Sequence, residues 1–157
     1  MSCTAAARWQ PLPCGEAEVL RLLALVFAFA LPAAAQPAIT GEDLAEIRAV
    51  IHRQIEAFRR DDAQEAFKLV SPAVQETFGT PERFLDVVRA SYGAMVRPTA
   101  VVFLGLTVIG DDAVQRVKIT DRSGALWLAY YAMQRQKDGS WRTNGCHLAP
   151  PVKTIPT

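Results

Sequence analysis

The chain has 157 residues, of which 50% are hydrophobic and 21% are charged, an ordinary composition for one globular domain. Its 17 basic and 16 acidic residues give a net charge of +1, and the basic residues form no run or stripe. Because nucleic-acid-binding proteins concentrate positive charge on one surface, we expect no nucleic-acid partner.

Residues 1–35 have the layout of a secretory signal peptide. Arg21 precedes an apolar run over residues 22–31, and a small-residue A-x-A segment follows at 33–35. The apolar run is too short to span a bilayer comfortably, and Pro32 interrupts it. We therefore predict cleavage after residue 35 and export to the bacterial periplasm or medium, without a stable membrane span. An uncleaved anchor and a translation start further downstream are the alternatives.

Residues 40–98 have the spacing of α-helices. Thr40 and Asp43 form a capping-box pattern, and apolar residues then recur at intervals of three and four. This apolar stripe consists of Leu44, Ile47, Ile51, Ile55 and Phe58. Later helix-start signals are Asp62 with Glu65, Ser71-Pro72 and Thr80-Pro81. We predict three main helices, the last of which is stopped by Gly93 and Pro98.

Residues 99–148 predict four strands separated by short turns. The strand segments are "TAVVFLGLTVI", "AVQRVKIT", "ALWLAYYAMQRQ" and "SWRTNGCHL". Gly105 indicates a bulge in the first strand, and Asp138-Gly139 is the strongest hairpin signal. Helices followed by strands predict an α+β fold, with three main N-terminal helices packed on one curved four-stranded antiparallel sheet. We place a short linker at 36–43, the domain at 44–150 and a C-terminal tail at 151–157.

Three segments resemble a family of small exported bacterial proteins called domain of unknown function 4864. They are "IEAFRRDDAQEAFKLVSP", "FGTPERFLDVVRASYGAMVRP" and "DGSWRTNGCHL". The resemblance covers about residues 44–150 and implies the nuclear transport factor 2-like (SnoaL-like, cystatin-like) superfamily, in which a cone-shaped curved sheet surrounds a pocket. That superfamily contains isomerases, dehydratases and hydrolases beside noncatalytic binding and dimerisation modules. The resemblance therefore implies a fold but no particular function.

The last hairpin decides which side chains share a face of the sheet. A two-residue Asp138-Gly139 turn places Cys146 opposite Tyr131 and Asn144 opposite Met133. The first face then carries Trp127, Tyr131, Met133, Asn144, Cys146 and Leu148. The second carries Leu128, Tyr130, Trp141, Thr143 and His147. Because a single bulge exchanges the faces along part of a strand, which set lines the cavity stays open.

Cys146 and His147 are neighbours in the last predicted strand and the most reactive pair of side chains there. Adjacent strand residues point to opposite faces, so these two cannot form a thiolate–imidazole pair across their own peptide bond. Cys146 is the one cysteine left after the predicted cleavage, and we interpret it as a buried or pocket-lining thiol. His52, on the first predicted helix, is the other histidine of the mature chain and could reach across the cavity.

Other side chains give weaker signals for chemistry. Asp61-Asp62 and Asp111-Asp112 lie at predicted caps and turns, without the spacing of a calcium loop. Asp86 is the least implausible general base, and we expect it on a solvent-facing side of its helix. We predict no catalytic residue, no metal and no cofactor. The pocket or interface candidates are Trp127, Tyr130, Tyr131, Trp141, Asn144, Cys146 and His147.

Two classes of function remain open. The first is a noncatalytic exported module that binds a small apolar ligand or a protein. The alternative is a small-molecule enzyme of isomerase or dehydratase type, which needs an ionisable group inside the pocket. Because "ALWLAYYAMQRQ" is apolar on both faces, we also predict a homodimer through one face of the sheet. Folding of the C-terminal tail over that face is the alternative to the dimer.

Overall fold

The computed structural model describes residues 39–151, so the signal peptide predicted for 1–35 and the tail beyond 151 lie outside the described residues. This part of the chain forms five helices followed by four strands. The helices are α1 (Gly41–Arg59), α2 (Ala63–Lys68), α3 (Pro72–Phe78), α4 (Pro81–Ser91) and α5 (Gly93–Val96). The strands are β1 (Ala100–Ile109), β2 (Asp112–Thr120), β3 (Leu126–Arg135) and β4 (Trp141–Ala149).

Helix α1 begins at the predicted capping box. The Thr40 hydroxyl accepts a hydrogen bond from the Asp43 backbone N–H at 3.1 Å, and the Thr40 N–H donates to the Asp43 carboxylate at 2.8 Å. Residues 40–43 are thus bonded into the first helical turn, and helical structure starts inside the stretch predicted as a linker. None of the helices between residues 39 and 151 has the length and hydrophobicity needed to cross a membrane.

The shorter helices also begin at the predicted caps. Asp62, Ser71 and Thr80 each accept a hydrogen bond from the backbone N–H three residues further on. The third main helix, α4, ends at Ser91, just before Gly93, as predicted. Tyr92 has a non-helical backbone (φ −128°, ψ 37°) and separates α4 from the short helix α5, which begins at Gly93 and ends before Pro98.

The four strands form one antiparallel sheet in the order β1-β2-β3-β4, and the α+β fold is as predicted. The helices cover one face of this sheet, which we call the inner face. Ile47, Ile51 and Ile55 of α1 pack there against Val117 and Tyr131. A second cluster packs α1, α2 and α4 together around Phe58, Phe84, Leu85 and Val88.

A bulge in β1 contains Gly105, as predicted. The pairing of β1 with β2 shifts between Phe103 and Leu106, so that two residues of β1 lie opposite Arg116 alone. The buried side chain of Gln115 stabilises this bulge, because its Nε2 donates to the carbonyl oxygens of Leu104 and Arg116, each at 2.8 Å.

The β3–β4 hairpin differs from the predicted two-residue turn. The Gln136 N–H donates to the Ser140 carbonyl at 2.8 Å, so the loop contains three residues, 137–139. The Asp138 carboxylate accepts from the Ser140 N–H at 3.0 Å and from its hydroxyl at 2.7 Å. This contact holds Gly139 at φ +87°, a conformation that favours glycine. Met133 consequently pairs with Thr143 and not with Asn144.

A second bulge then restores the predicted register further along β4. Ala132 pairs with Gly145 and Met133 with Thr143, which leaves Asn144 as the extra residue. Beyond the bulge Cys146 lies opposite Tyr131, as predicted. The faces predicted for Trp141 and Thr143 were wrong, because both side chains are buried on the inner face. Because of the bulge, the side chains of Trp141 and Thr143 lie on the same face of the sheet as that of Cys146.

Candidate functional site

A cavity of about 290 Å³ lies between the inner face of the sheet and the helices. Helices α1, α3, α4 and α5 contribute to its walls, together with β3, β4 and Val70. Its apolar lining consists of Phe58, Val70, Val74, Phe78, Phe84, Val87, Val88 and Met95. Its other lining residues are Gln54, Tyr92, Tyr131, Thr143, Asn144, Gly145 and Cys146. No carboxylate and no basic side chain is among these residues.

Gln54 and Thr143 use their polar groups on each other and on the backbone. The Gln54 side chain is 2% exposed, and its Nε2 donates to the Ala66 carbonyl at 3.4 Å. The Thr143 hydroxyl donates to Gln54 Oε1 at 3.3 Å. This buried pair joins α1 to β4 and does not require a ligand to satisfy it.

The bulge at Asn144 is tied to the segment before α3. Ser71 donates its hydroxyl hydrogen to Asn144 Oδ1 at 2.6 Å and accepts the Val74 N–H at 3.3 Å. Around it, the Ser71 N–H donates to the Thr143 carbonyl and the Thr143 N–H donates to the Leu69 carbonyl, each at 2.9 Å. These contacts orient the Asn144 amide, whose Nδ2 donates to no group within residues 39–151.

Tyr131 is the polar residue of the cavity that lacks a partner. Its side chain is 0% exposed, and its hydroxyl makes no hydrogen bond to the described part of the protein. Burial raises the pKa of the Tyr131 hydroxyl well above its usual range, so this group stays neutral and can donate a hydrogen bond. By contrast, the Tyr92 hydroxyl donates to the Cys146 carbonyl at 3.1 Å.

Cys146 faces the cavity beside Tyr131, and its thiol is not activated. Its Sγ lies 3.8 Å from the Met95 sulfur, and burial raises the pKa of the thiol to about 12. His147 is exposed on the opposite face of the sheet, with its ring centroid 6.2 Å from that of Tyr130. A thiol that stays protonated at neutral pH, without a neighbouring imidazole, lacks the features of a catalytic nucleophile.

Four sequence-predicted candidates lie away from the cavity. Trp141 is buried against the start of α1, where its Nε1 donates to Asp43 Oδ1 at 3.0 Å. Trp127 packs at the margin of the core, and its Nε1 donates to Asp121 at 2.8 Å. Tyr130 and His147 belong to the face of the sheet that the helices leave uncovered, which we call the outer face.

The acidic candidates have structural partners. Asp62 caps α2, and Asp61 forms ion pairs of 2.8 Å with both Arg89 and Arg97. Asp86 is exposed on α4 and pairs with Arg89 at 3.3 Å, outside the cavity lining. Residues 39–151 contain no group of histidine, cysteine and carboxylate side chains able to hold a metal ion.

The apolar residues of α3, α4 and α5 that line the cavity were missed as site candidates. They come from separate segments, and nothing in their spacing shows that they converge. Gln54 did offer a signal, because it is a polar residue on the apolar stripe of α1, four positions before Phe58. Such a residue indicates a buried polar contact rather than a solvent-facing side chain.

This α+β architecture is a fold shared with solved structures described as cystatin-like and ketosteroid isomerase-like. A protein of unknown function with a cystatin-like fold from Nostoc punctiforme PCC 73102 matches with a TM-score of 0.52 at 12% identity, covering 75% of this chain and 97% of that chain. A ketosteroid isomerase-like protein from Erwinia carotovora atroseptica SCRI1043 matches with a TM-score of 0.50 at 17% identity, covering 73% and 100%. At these identities the similarity shows the fold alone.

The family assignment follows from the sequence itself. The family model described as "Domain of unknown function (DUF4864)" matches residues 40–155, and the chain belongs to this family. The predicted family resemblance is thereby confirmed. No curated protein matches the sequence.

Proposed function

We propose that the mature protein is an exported, noncatalytic domain that binds a small apolar ligand in the cavity between the helices and β3–β4. The observation that carries this proposal is the chemistry of the cavity wall, which is mainly apolar and contains no carboxylate, imidazole or amine. Isomerase or dehydratase chemistry needs a general base near the reacting carbon. Both titratable groups at the cavity that show a shifted pKa, Tyr131 and Cys146, are held in their neutral forms.

The volume of the cavity limits the size of the ligand. A dry cavity of roughly 150 Å³ is large enough to bind benzene. At about 290 Å³ the present cavity is about twice as large, which suits a molecule of two fused rings or a chain of similar volume. The aromatic rings of Phe58, Phe78 and Phe84 provide flat apolar contacts for such a molecule.

Binding of 2-isopropylnaphthalene tests the proposal with a neutral probe of this size. We expect saturable binding to the protein comprising residues 36–157, measured by titration of the probe's fluorescence. Val74→Trp should weaken binding about tenfold or more, since its indole would occupy the cavity. The matched control is Ala73→Trp, an exposed position on the same helix, which should leave the affinity unchanged.

Thermal melts establish that both tryptophan variants are folded before they are compared. If Val74→Trp does not fold, Val74→Phe provides the smaller obstruction at the same position. Absence of saturable binding up to the solubility of the probe would contradict the proposal. Equal affinities for the wild-type protein and a folded position-74 variant would place the binding elsewhere and also contradict it.

The outer face of the sheet supports a second proposal, that the mature protein is a homodimer. Leu126 of β3 and Val102 of β1 are 42% and 43% exposed there, and Leu128 and Tyr130 of β3 are partly buried. A twofold partner would remove this apolar surface from water. The charged residues Arg116 and Lys118 of β2 interrupt the face, so the contact is best centred on β3 and β4.

Mass spectrometry of the protein purified from its own cell envelope tests export and dimerisation together. The denatured mass should correspond to a chain that begins at Gln36, and the native mass should be twice that value. A denatured mass that includes residues 1–35 contradicts the proposed export. A monomer that remains monomeric at micromolar concentration after deletion of residues 152–157 contradicts the dimer, because the tail can then no longer compete for the outer face.

A further inference from the structure

We infer that the ligand is a neutral molecule that carries a hydrogen-bond acceptor, such as a ketone or ester carbonyl oxygen, and that Tyr131 donates its hydroxyl hydrogen to it. This inference rests on the proposed function and specifies the ligand of that same cavity. Its starting point is Tyr131, a residue of the cavity lining whose hydroxyl is fully buried and has no partner in the described part of the protein.

An unpartnered buried hydroxyl is uncommon, because burying such a group without a hydrogen bond is unfavourable. A phenylalanine at this position would fill nearly the same space without a polar atom. Neighbouring polar groups are already paired, since Gln54 bonds to Thr143 and the Tyr92 hydroxyl bonds to the Cys146 carbonyl. Tyr131 is therefore the polar side chain at this wall that makes no hydrogen bond at all within the described residues.

The charge of the ligand follows from the same wall. An anion would need a basic side chain or a helix terminus for compensation, and a cation would need a carboxylate. Neither a basic nor an acidic side chain lines the cavity. Because the Tyr131 hydroxyl keeps its proton, it offers a donor, and the complementary group on the ligand is an acceptor.

Asn144 supplies a second donor at the same wall. Ser71 binds its Oδ1 at 2.6 Å, which leaves the Nδ2 hydrogens free of partners within residues 39–151. The two donors come from adjacent strands, and the bulge at Asn144 brings this residue into the cavity lining. A carbonyl oxygen has two lone pairs and can accept a hydrogen bond from either donor.

A matched pair of probes isolates the proposed hydrogen bond. 2-Acetylnaphthalene carries a carbonyl oxygen where 2-isopropylnaphthalene carries a methyl group of similar size. We expect the ratio of their dissociation constants (acetyl over isopropyl) to rise about tenfold in Tyr131→Phe, because one hydrogen bond to a buried donor is lost. Affinity for 2-isopropylnaphthalene should stay the same or increase, since it never used the hydroxyl.

A second readout separates this role from a structural one. Tyr131→Phe removes a hydroxyl that has no partner, so the thermal midpoint of the unliganded variant should be unchanged or higher. A ratio of dissociation constants that is the same in the wild-type protein and Tyr131→Phe overturns the inference, and indicates that a buried water takes this hydrogen bond. A markedly lower midpoint overturns it too. If neither probe binds the wild-type protein, the proposed function itself fails.

Discussion

Replacing Asp43 with alanine is expected to lower the free energy of unfolding by about 3 kcal/mol at neutral pH. The Asp43 carboxylate accepts hydrogen bonds from Thr40, from Trp141 Nε1 at 3.0 Å and from Arg135 Nη2 at 2.8 Å. Arg135 also lies over the Trp141 ring, 4.9 Å from its centroid. Removing the carboxylate leaves a buried indole N–H unpaired and disconnects the first turn of α1 from the β3–β4 hairpin.

The effect of this substitution should depend on pH. Hydrogen bonds from Thr40 and Trp141 hold the pKa of Asp43 below its ordinary value of 3.8. A carboxyl group with a lowered pKa in the folded state stabilises the protein above the pKa of the unfolded state, and the stabilisation is lost as the pH falls. The difference in unfolding free energy between the wild-type and Asp43→Ala proteins should be constant from pH 6 to 8 and shrink below about pH 4.

Urea denaturation followed by tryptophan fluorescence measures this difference at each pH. Glu42→Ala is the matched control, because Glu42 is an exposed acidic residue in the same first turn. Asp43→Asn keeps one acceptor oxygen without the charge, so its unfolding free energy should fall less than that of Asp43→Ala. The part of the pH dependence that comes from titration of Asp43 should be absent in both variants. A change below about 1 kcal/mol for Asp43→Ala at neutral pH would show that this network contributes little.

Replacing Phe84 with alanine is expected to lower the free energy of unfolding by about 3–5 kcal/mol. Phe84 is 6% exposed and lies at the centre of an aromatic cluster. Its ring centroid is 6.1 Å from that of Phe58, 5.8 Å from Phe67 and 5.2 Å from Phe78, in tilted or edge-on arrangements. Loss of the ring removes these contacts and enlarges the cavity that Phe84 lines.

Thermal and urea unfolding check this prediction, with Val87→Ala on the same helix as the control. Val87 is 37% exposed, so its truncation should change the unfolding free energy by less than about 1 kcal/mol. Similar decreases in unfolding free energy for Phe84→Ala and Val87→Ala would contradict the prediction. They would show that the neighbouring rings fill the space left by the Phe84 ring at little energetic cost. Phe84→Leu should retain most of the stability and is the better variant for measurements of ligand binding.

The local signals of the sequence predicted the elements well. Helix starts at Thr40, Asp62, Ser71 and Thr80 depend on a side chain and a backbone N–H three residues apart, which is a local interaction. The apolar and β-branched content of residues 99–148 predicted the four strands equally well. The end of α4 just before Gly93 was also predicted, whereas the short helix α5, which begins at Gly93, was not.

The register of β4 depends partly on contacts between residues distant in the sequence, which local signals do not predict. The predicted pairing of Tyr131 with Cys146 is confirmed, although the turn is one residue longer than predicted. The bulge at Asn144 compensates for the longer turn. Gly145, at φ +151° inside a strand, was a sequence signal for this bulge, as Gly105 was for the first. Its exact position depends on Ser71, which is 73 residues away in the sequence and cannot be assigned to Asn144 from spacing alone.

The cavity could be predicted only as a consequence of the fold class. Tyr131, Asn144 and Cys146 were named as candidates, but so were Trp127, Tyr130, Trp141 and His147, which the structure places elsewhere. Alternation along a strand divides residues into two sets, and it does not say which set the helices cover. The longer turn moved Trp141 and Thr143 from one set to the other and the bulge returned Cys146 to its predicted pairing, which no count along an unbroken strand could show.

The pairing of Thr143 with residues 69–71 makes the two edges of the sheet unequal. Both backbone hydrogen-bonding groups of Thr143 are occupied, and Val70 forms a parallel bridge beside it, so a foreign strand cannot add to β4 at this point. In the described part of the chain no segment pairs with the free edge of β1, where Val108 and Ile109 are 50% and 60% exposed. Addition of a foreign strand is therefore less obstructed along β1 than at this point of β4.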